Sequence, residues 1–304
     1  MRYPKDILAD YAYRDVMHIG GFLKNGRPAL TGIDPQLVAD YVILMVNDPL
    51  IQDGCSAEQN AKKFLDAPVL IGKTGLVTAY TGSYHGTAVT LVSCGSGGGE
   101  AEIVLVELMQ YSQANTYLRV GGAGGISTEM ELGAVAIASG VVRDEGLTKE
   151  YITAAFPAVS SYEVVTAMVQ AAERVRVPYR VGIGRSTDSE HLGVGRPSVH
   201  GYFQPRHTQL LDNYHRAGVL YTDRESAAVV GLCALLGYRG GAVCVVPNNL
   251  LTGEEVPMDC AQELALRVAL EGLAVLTEMD CAKAECQKVY WYPQINERER
   301  KYDE

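Results

Sequence analysis

The stretch TAVTLVS, residues 87 to 93, is short, apolar and rich in β-branched residues, which predicts a strand. Glycines crowd Gly95 to Gly99 as a turn, and EAEIVLVELMQYSQ then carries its apolar residues at helical spacing. NTYLRVGGAGGI follows as a second strand running into a second glycine turn. Strand, helix and strand in that order make a β-α-β unit, the sign of a parallel or mixed sheet covered by helices.

The alternation continues. GAVAIASGVVR (133 to 143) reads as a strand, SSYEVVTAMVQAAERV as a helix with a serine start, and YRVGIGRSTDS as a strand entering a polar loop. DRESAAVVGLCALLGY predicts a helix with Asp223 and Glu225 in its first turn. GGAVCVVPNN predicts a buried strand, and MDCAQELALRVALEGLAVLTEMDCAKAE a long amphipathic helix. No repeat, low-complexity run or linker divides the chain, so one α/β domain over residues 1–304 is expected. Residues 1–15 and 292–304 are expected as peripheral extensions, and the charged tail INERERKYDE as solvated.

Composition narrows the classes. A chain of 304 residues, 47% apolar and 20% charged, can bury a sizeable core. No apolar run approaches the roughly 18 to 20 residues that span a bilayer, and MRYPKDILADYAYRD is too polar for a signal peptide, so a soluble cytoplasmic protein is expected. Seven scattered cysteines without a C-x-x-C pair read as reduced thiols. A net charge of −10 counts against nucleic acid or an anionic membrane as partner, while a few local arginines can still bind a small anion.

The glycines match neither cofactor fingerprint. Gly95, Gly97, Gly98 and Gly99 do not space as G-x-G-x-x-G, nor do Gly121, Gly122, Gly124 and Gly125, and no lysine follows to make a P-loop. Two glycine turns at the ends of adjacent strands remain, which is where ligands sit in open α/β sheets. Backbone N–H groups there can hold an anion. Arg119 beside them is either a bidentate ligand contact or a structural ion pair.

CGSGGGEAEIVLVELMQYSQANTYLRVGGAGGI, GAVAIASGVVRDEGL, FPAVSSYEVVTAMVQAAE and Glu225-Ser226-Ala227 resemble, in order and spacing, the uridine phosphorylases and hexameric purine nucleoside phosphorylases. The resemblance runs over roughly residues 16 to 275. It implies a single-domain α/β/α sandwich with a mixed, partly barrel-like central sheet, assembling as dimers or as a trimer of dimers. It also implies cleavage of a nucleoside's N-glycosidic bond by inorganic phosphate, giving free base and ribose 1-phosphate. Phosphate is then a co-substrate, with no cofactor and no metal.

The same resemblance implies roles. Glu225 matches the glutamate that accepts from the ribose hydroxyls, although a carboxylate at a helix start is also favoured by the helix dipole. His18, in MHIGG, resembles a histidine that reaches the 5′ side of a neighbouring subunit's ribose. Arg196 keeps the arginine of the base loop and would stabilise the leaving base. Val194 stands where a glutamine reads uracil, and Glu190 where an aromatic ring stacks, so the base side is altered. Asn248 and Asn249 replace the acid of the purine enzymes. On the phosphate side, Gly32 opens a motif lacking its arginine, Thr81 replaces a second arginine and Gly122 a hydroxyl residue, leaving Arg119 as the one retained cation. Arg119 and Arg196 are thus the expected catalytic pair. Arg224 stands under the sugar where a methionine is usual. It would bind phosphate, a carboxylate or a substrate's own 5′-phosphate, or else turn outward or pair with Asp223. Arg185 and Arg27 are further candidates. Three readings stay open: a phosphorylase, a nucleoside or nucleotide hydrolase on the same fold, and a non-catalytic nucleoside-binding subunit.

Overall fold

The computed structural model describes residues 9–19, 21–46, 56–257 and 261–295. A short hairpin, β1 (Leu23–Lys24) and β2 (Arg27–Pro28), leads into β3 (Tyr41–Val46), whose sequence YVILMV is buried at every position. A strand with no polar side needs cover on both faces and neighbours on both edges. It has them: β6 (Thr87–Cys94) and β7 (Thr116–Gly125) flank β3 in parallel. The two glycine-bearing strands are therefore not adjacent, as the sequence had suggested, and the helix joining them, α2 (Gly98–Tyr111), crosses over β3. Outward from β6 lie β5 (Thr78–Tyr84) and β4 (Asp66–Lys73), both antiparallel.

On the other side the sheet curls shut. β7 pairs in parallel with β12 (Arg239–Asn249), which pairs antiparallel with β8 (Val135–Arg143). β8 carries the short β9 (Ala158–Val159) and runs parallel to β10 (Tyr179–Ser186), itself parallel to β11 (Val219–Asp223). β11 returns to β7, with Tyr221 opposite Gly125 and Thr222 opposite Gly124. Five strands close a barrel, and β3 to β6 form a wing on it.

Side-chain alternation along β3 divides the layers. Tyr41, Ile43 and Met45 face a core with α1 (Ala57–Phe64), α4 (Tyr162–Val175) and α7 (Ala261–Glu285), represented by Ala61, Met168 and Leu270. Val42 and Leu44 face the opposite core with α2 and α6 (Ser226–Leu236), represented by Leu105 and Val229. A third cluster of small side chains, including Ala136, Ala242 and Cys244, packs with Tyr221 and with Ala227 and Val230 of α6. Two shorter helices, α3 (Leu147–Tyr151) and α5 (Leu210–Arg216), complete the described α-helices. This is the layered α/β sandwich with a partly barrel-like sheet that the resemblance implied. Among the described residues no helix is long and apolar enough to cross a membrane.

The segment before β3 is tied down by α2. Buried Glu107 accepts from the backbone N–H groups of Leu30 at 3.1 Å and Thr31 at 2.9 Å, and Tyr111 donates to the Gly21 carbonyl at 2.6 Å. Of the two expected extensions, residues 1–8 and 296–304 lie outside the described residues, as do Cys55, Cys260 and the start of the long helical segment at 258–260. Cys94, Cys233 and Cys244 are buried free thiols, and Cys281 is an exposed one.

Two sequence expectations change. Asp223 ends β11 instead of entering the helix, and Glu225 takes the N-cap position of α6 without a capping bond from its side chain. The glycines after Arg119 are not a turn either, because β7 runs through them to Gly125. Close approach explains their identity. A Cβ on Gly125 would sit 2.9 Å from Val246 Cγ1 and 3.1 Å from the Asn248 carbonyl oxygen. The first glycine cluster does make a turn, with Gly97 at φ 115 immediately before α2. Gly125→Ala is therefore expected to destabilise the protein by about 1 to 3 kcal/mol through overpacking where the barrel closes. Urea unfolding measures this, and a loss under about 0.5 kcal/mol contradicts the close-packing explanation.

Candidate functional site

A cavity of about 340 Å³ opens where β7 and β12 meet the end of β11. Of the nine positions expected to form a site, seven line it: Arg119, Gly122, Glu190, Val194, Arg196, Arg224 and Glu225. Gly32 and His18 do not. Gly32 occupies a turn at φ 63 where a Cβ would stand 2.9 Å from Thr74 Cγ2, so the backbone itself calls for glycine there. His18 lies exposed in the N-terminal segment, its ring 6.3 Å from that of Phe22.

The base of the cavity is ionic. Arg119 is 3% exposed, and its Nη2 donates to Glu225 Oε2 at 2.9 Å and to the Gly122 carbonyl at 2.9 Å. Its Nη1 donates to Cys244 Sγ at 3.0 Å. Its Nε stands 3.4 Å from Asp223 Oδ2, yet makes no hydrogen bond. Glu225 is thus the close partner of Arg119 and Asp223 the looser one. Glu225 is fixed on its other oxygen as well, accepting from Gly97 N at 2.6 Å and Ser96 Oγ at 3.3 Å. One carboxylate thereby joins the turn before α2, the middle of β7 and the start of α6.

Asp223 is held by its own set of donors. Ser186 Oγ donates to Oδ1 at 2.6 Å, Ser226 N to the same oxygen at 3.3 Å, and Ser226 Oγ to Oδ2. Burial pushes the Asp223 carboxyl above the ordinary aspartate value; Arg119 opposes that, and the Glu225 charge adds to it. For Arg119, burial works against the charged form, but Cys244, Asp223 and Glu225 together hold the guanidinium well above its ordinary value. Burial also raises the Cys244 thiol to about 11, so at neutral pH the sulfur is neutral and the charge that meets Arg119 comes from its carboxylate partners.

The remaining arginines separate clearly. Arg185 does not line the cavity. It is 1% exposed, pairs with Asp144 Oδ2 at 2.6 Å, lies 4.5 Å over the Tyr214 ring and donates to the Gly193 carbonyl at 2.7 Å. Its visible task is to anchor the loop that carries Val194 and Arg196. Arg27 pairs with Asp34 at 3.1 Å outside the cavity. Arg196 is exposed and its guanidinium makes no hydrogen bond or ion pair among the described residues. Asn248 lines the cavity, whereas Asn249 is committed to the Ser127 carbonyl at 2.9 Å and to Leu251 N at 2.9 Å.

Sequence reading left out five polar lining residues, Ser96, Thr222, Asp223 as a site residue, Glu255 and Gln262, along with apolar ones such as Val46 and Leu250. Ser96 had a signal, being the hydroxyl inside the first glycine turn. Glu255 reaches the cavity through a bridge between its backbone and that of Asn248, a contact with no local pattern to announce it.

The model of the phosphorylase superfamily matches residues 53–277 of the chain. This protein belongs to the phosphorylase superfamily. A uridine phosphorylase of Thermococcus kodakarensis is 37% identical over 214 residues, 70% of this chain and 76% of that protein. One from Treponema pallidum is 32% identical over 82% of this chain and 94% of that protein, and a guanosine phosphorylase of Halorubrum lacusprofundi is 30% identical over 64% and 79%. The superfamily match takes in every one of the seven expected positions that line the cavity and begins after His18 and Gly32.

Arg119→Met would leave two buried carboxylates without their cation. The expected result is a loss of about 3 to 5 kcal/mol, as for other broken buried ion pairs. Chemical denaturation tests it, and a loss under about 1 kcal/mol would mean that Arg119 is not the counter-charge of Asp223 and Glu225.

Proposed function

We propose that this protein is a uridine phosphorylase-like nucleoside phosphorylase, a pentosyltransferase that splits the N-glycosidic bond with phosphate to give free base and ribose 1-phosphate. Supporting this are membership of the superfamily, relatives named uridine phosphorylase, and above all the way Glu225 is presented. An ionised carboxylate has about four acceptor positions. Three of those of Glu225 are taken by Ser96, Gly97 and Arg119, which fix its orientation while it still lines the cavity. A carboxylate fixed in this way can accept from a ribose hydroxyl without reorganising.

The chemistry needs little else from the protein. As the glycosidic bond stretches, positive charge develops on the ribose and negative charge on the base. Glu225 and Asp223 suit the first, and the unpaired guanidinium of Arg196 suits the second. Phosphate serves as co-substrate, and the reading calls for no cofactor or metal. Self-association as a dimer or trimer of dimers, with His18 serving a neighbour's site, belongs to the same reading. It accords with exposed Val16, Met17, Ile19 and Phe22 beside His18. A cytoplasmic location belongs to it as well.

One observation favours hydrolysis instead. Arg119, the arginine retained on the phosphate side, is already balanced by two carboxylates. Water needs no cation to hold it, so a nucleosidase on this scaffold is the second reading. Incubating the protein with a panel of pyrimidine and purine nucleosides, with and without inorganic phosphate, separates the two. The phosphorylase reading expects base release that depends on phosphate and yields ribose 1-phosphate, with kcat/KM lowered about 100-fold in Glu225→Ala. Equal release without phosphate makes the protein a hydrolase. Binding of nucleosides without any release leaves only a binding subunit.

A further inference from the structure

The cavity holds three arginines, and they are not equally available. Both Arg119 Nη atoms are committed, Nη2 to Glu225 and Gly122 and Nη1 to Cys244, and its Nε, without a hydrogen bond, faces Asp223 at 3.4 Å. An oxyanion brought to it would meet two carboxylates whose charge already exceeds its own. Repulsion between like charges in a site so poorly hydrated is severe.

Arg224 has fewer partners and, among the described residues, no carboxylate nearer than 4.0 Å. It follows Asp223 at the end of β11 and lies across the glycine turn before α2. Its Nη1 donates to Ser96 Oγ at 3.3 Å, and its Nη2 stands 3.5 Å from the place a Gly97 Cβ would take. Gly97 thus leaves the guanidinium room to rest on the turn. Nε of Arg224 is buried without any hydrogen-bond acceptor. The nearest carboxylate is Glu190 Oε1 at 4.0 Å, on a side chain that is 56% exposed. A buried donor with no acceptor is costly, and an oxygen arriving in the cavity would satisfy it.

We propose that Arg224, and not Arg119, is the cation that holds a phosphoryl oxyanion in this cavity. The inference rests on the phosphorylase reading for the class of anion. The anion is either inorganic phosphate or the 5′-phosphate of a nucleotide substrate, since one guanidinium recognises both. Arg224 offers a planar fork, with Nε and Nη2 free to bind two oxygens. Ser96 keeps that fork over the glycine turn and, through its bond to Glu225, beside the carboxylate assigned to the ribose. Glu190 swings into solvent when the anion enters.

Calorimetric titration of the intact protein, Arg224→Met and Arg224→Lys tests this, using inorganic phosphate, uridine 5′-monophosphate and uridine as separate probes. Loss of charge-assisted bonds should weaken the anion about 10- to 100-fold in Arg224→Met, with partial retention in Arg224→Lys. Uridine affinity should change less than about threefold. A drop confined to inorganic phosphate identifies the co-substrate as the source; a drop confined to the nucleotide identifies the substrate's own phosphate. Melting temperature reports whether Arg224→Met folds, and Arg224→Lys carries the comparison if it does not. The proposal is overturned if Arg224→Met binds phosphate and nucleotide as the unaltered protein does, or if the unaltered protein binds neither. Failure of the phosphorylase reading looks different: no base is released from any nucleoside in the presence of phosphate, whatever the titrations show.

Discussion

Everything around the cavity depends on how a single buried guanidinium is neutralised. Arg119 stands in β7 between β3 and β12, and its charge must be met because burying an unpaired cation is prohibitive. Asp223 from the end of β11 and Glu225 from the cap of α6 meet it. That single requirement fixes the exit of β11, the entry of α6 and, through Gly97 N, the start of α2. On the proposed reading, a stability role and a binding role fall on the same carboxylate. Glu225 can be rigid toward a sugar because it is already held by the protein.

The same neutralisation sets the limits of the chemistry. Two carboxylates for one arginine leave the floor of the cavity anionic, which favours positive charge developing on a ribose and disfavours a free dianion at Arg119. The resemblance implies that this chain lacks the other arginines of the phosphate side. Arg224 also lines the cavity, and on the proposal above the cationic role passes to it, so the roles suggested by resemblance must be read against actual pairing.

Much of this was legible in the sequence, and the misses have physical causes. Arg119, Glu225, Arg196 and Arg224 were legible because each sits in a short ordered motif, and all of them line the cavity. Asp223 was misread because DRES has the look of a helix start, while the register with Ser186 that makes it a strand residue lies far away in the chain. Gly121 to Gly125 signalled a turn, since glycine most often supplies unusual backbone angles. Here it supplies thinness for a strand squeezed between β11 and β12. YVILMV carried no alternation to mark it, because β3 is buried on both faces, and without it the order of the central strands could not be read. The inward turn of Arg185 toward Asp144 and Tyr214 depends on a loop and α5 packing together, which no local pattern encodes.

The central claim is that Arg119 is an internal counter-charge and that an oxyanion binds elsewhere in the same cavity. A crystal structure of the protein soaked with phosphate and a nucleoside tests it most directly. The account predicts the phosphate on the Arg224 guanidinium, with the Arg119 bond to Glu225 intact and Glu225 in contact with the sugar. Phosphate seated on Arg119, with that bond broken and Arg224 pointing to solvent, would contradict it.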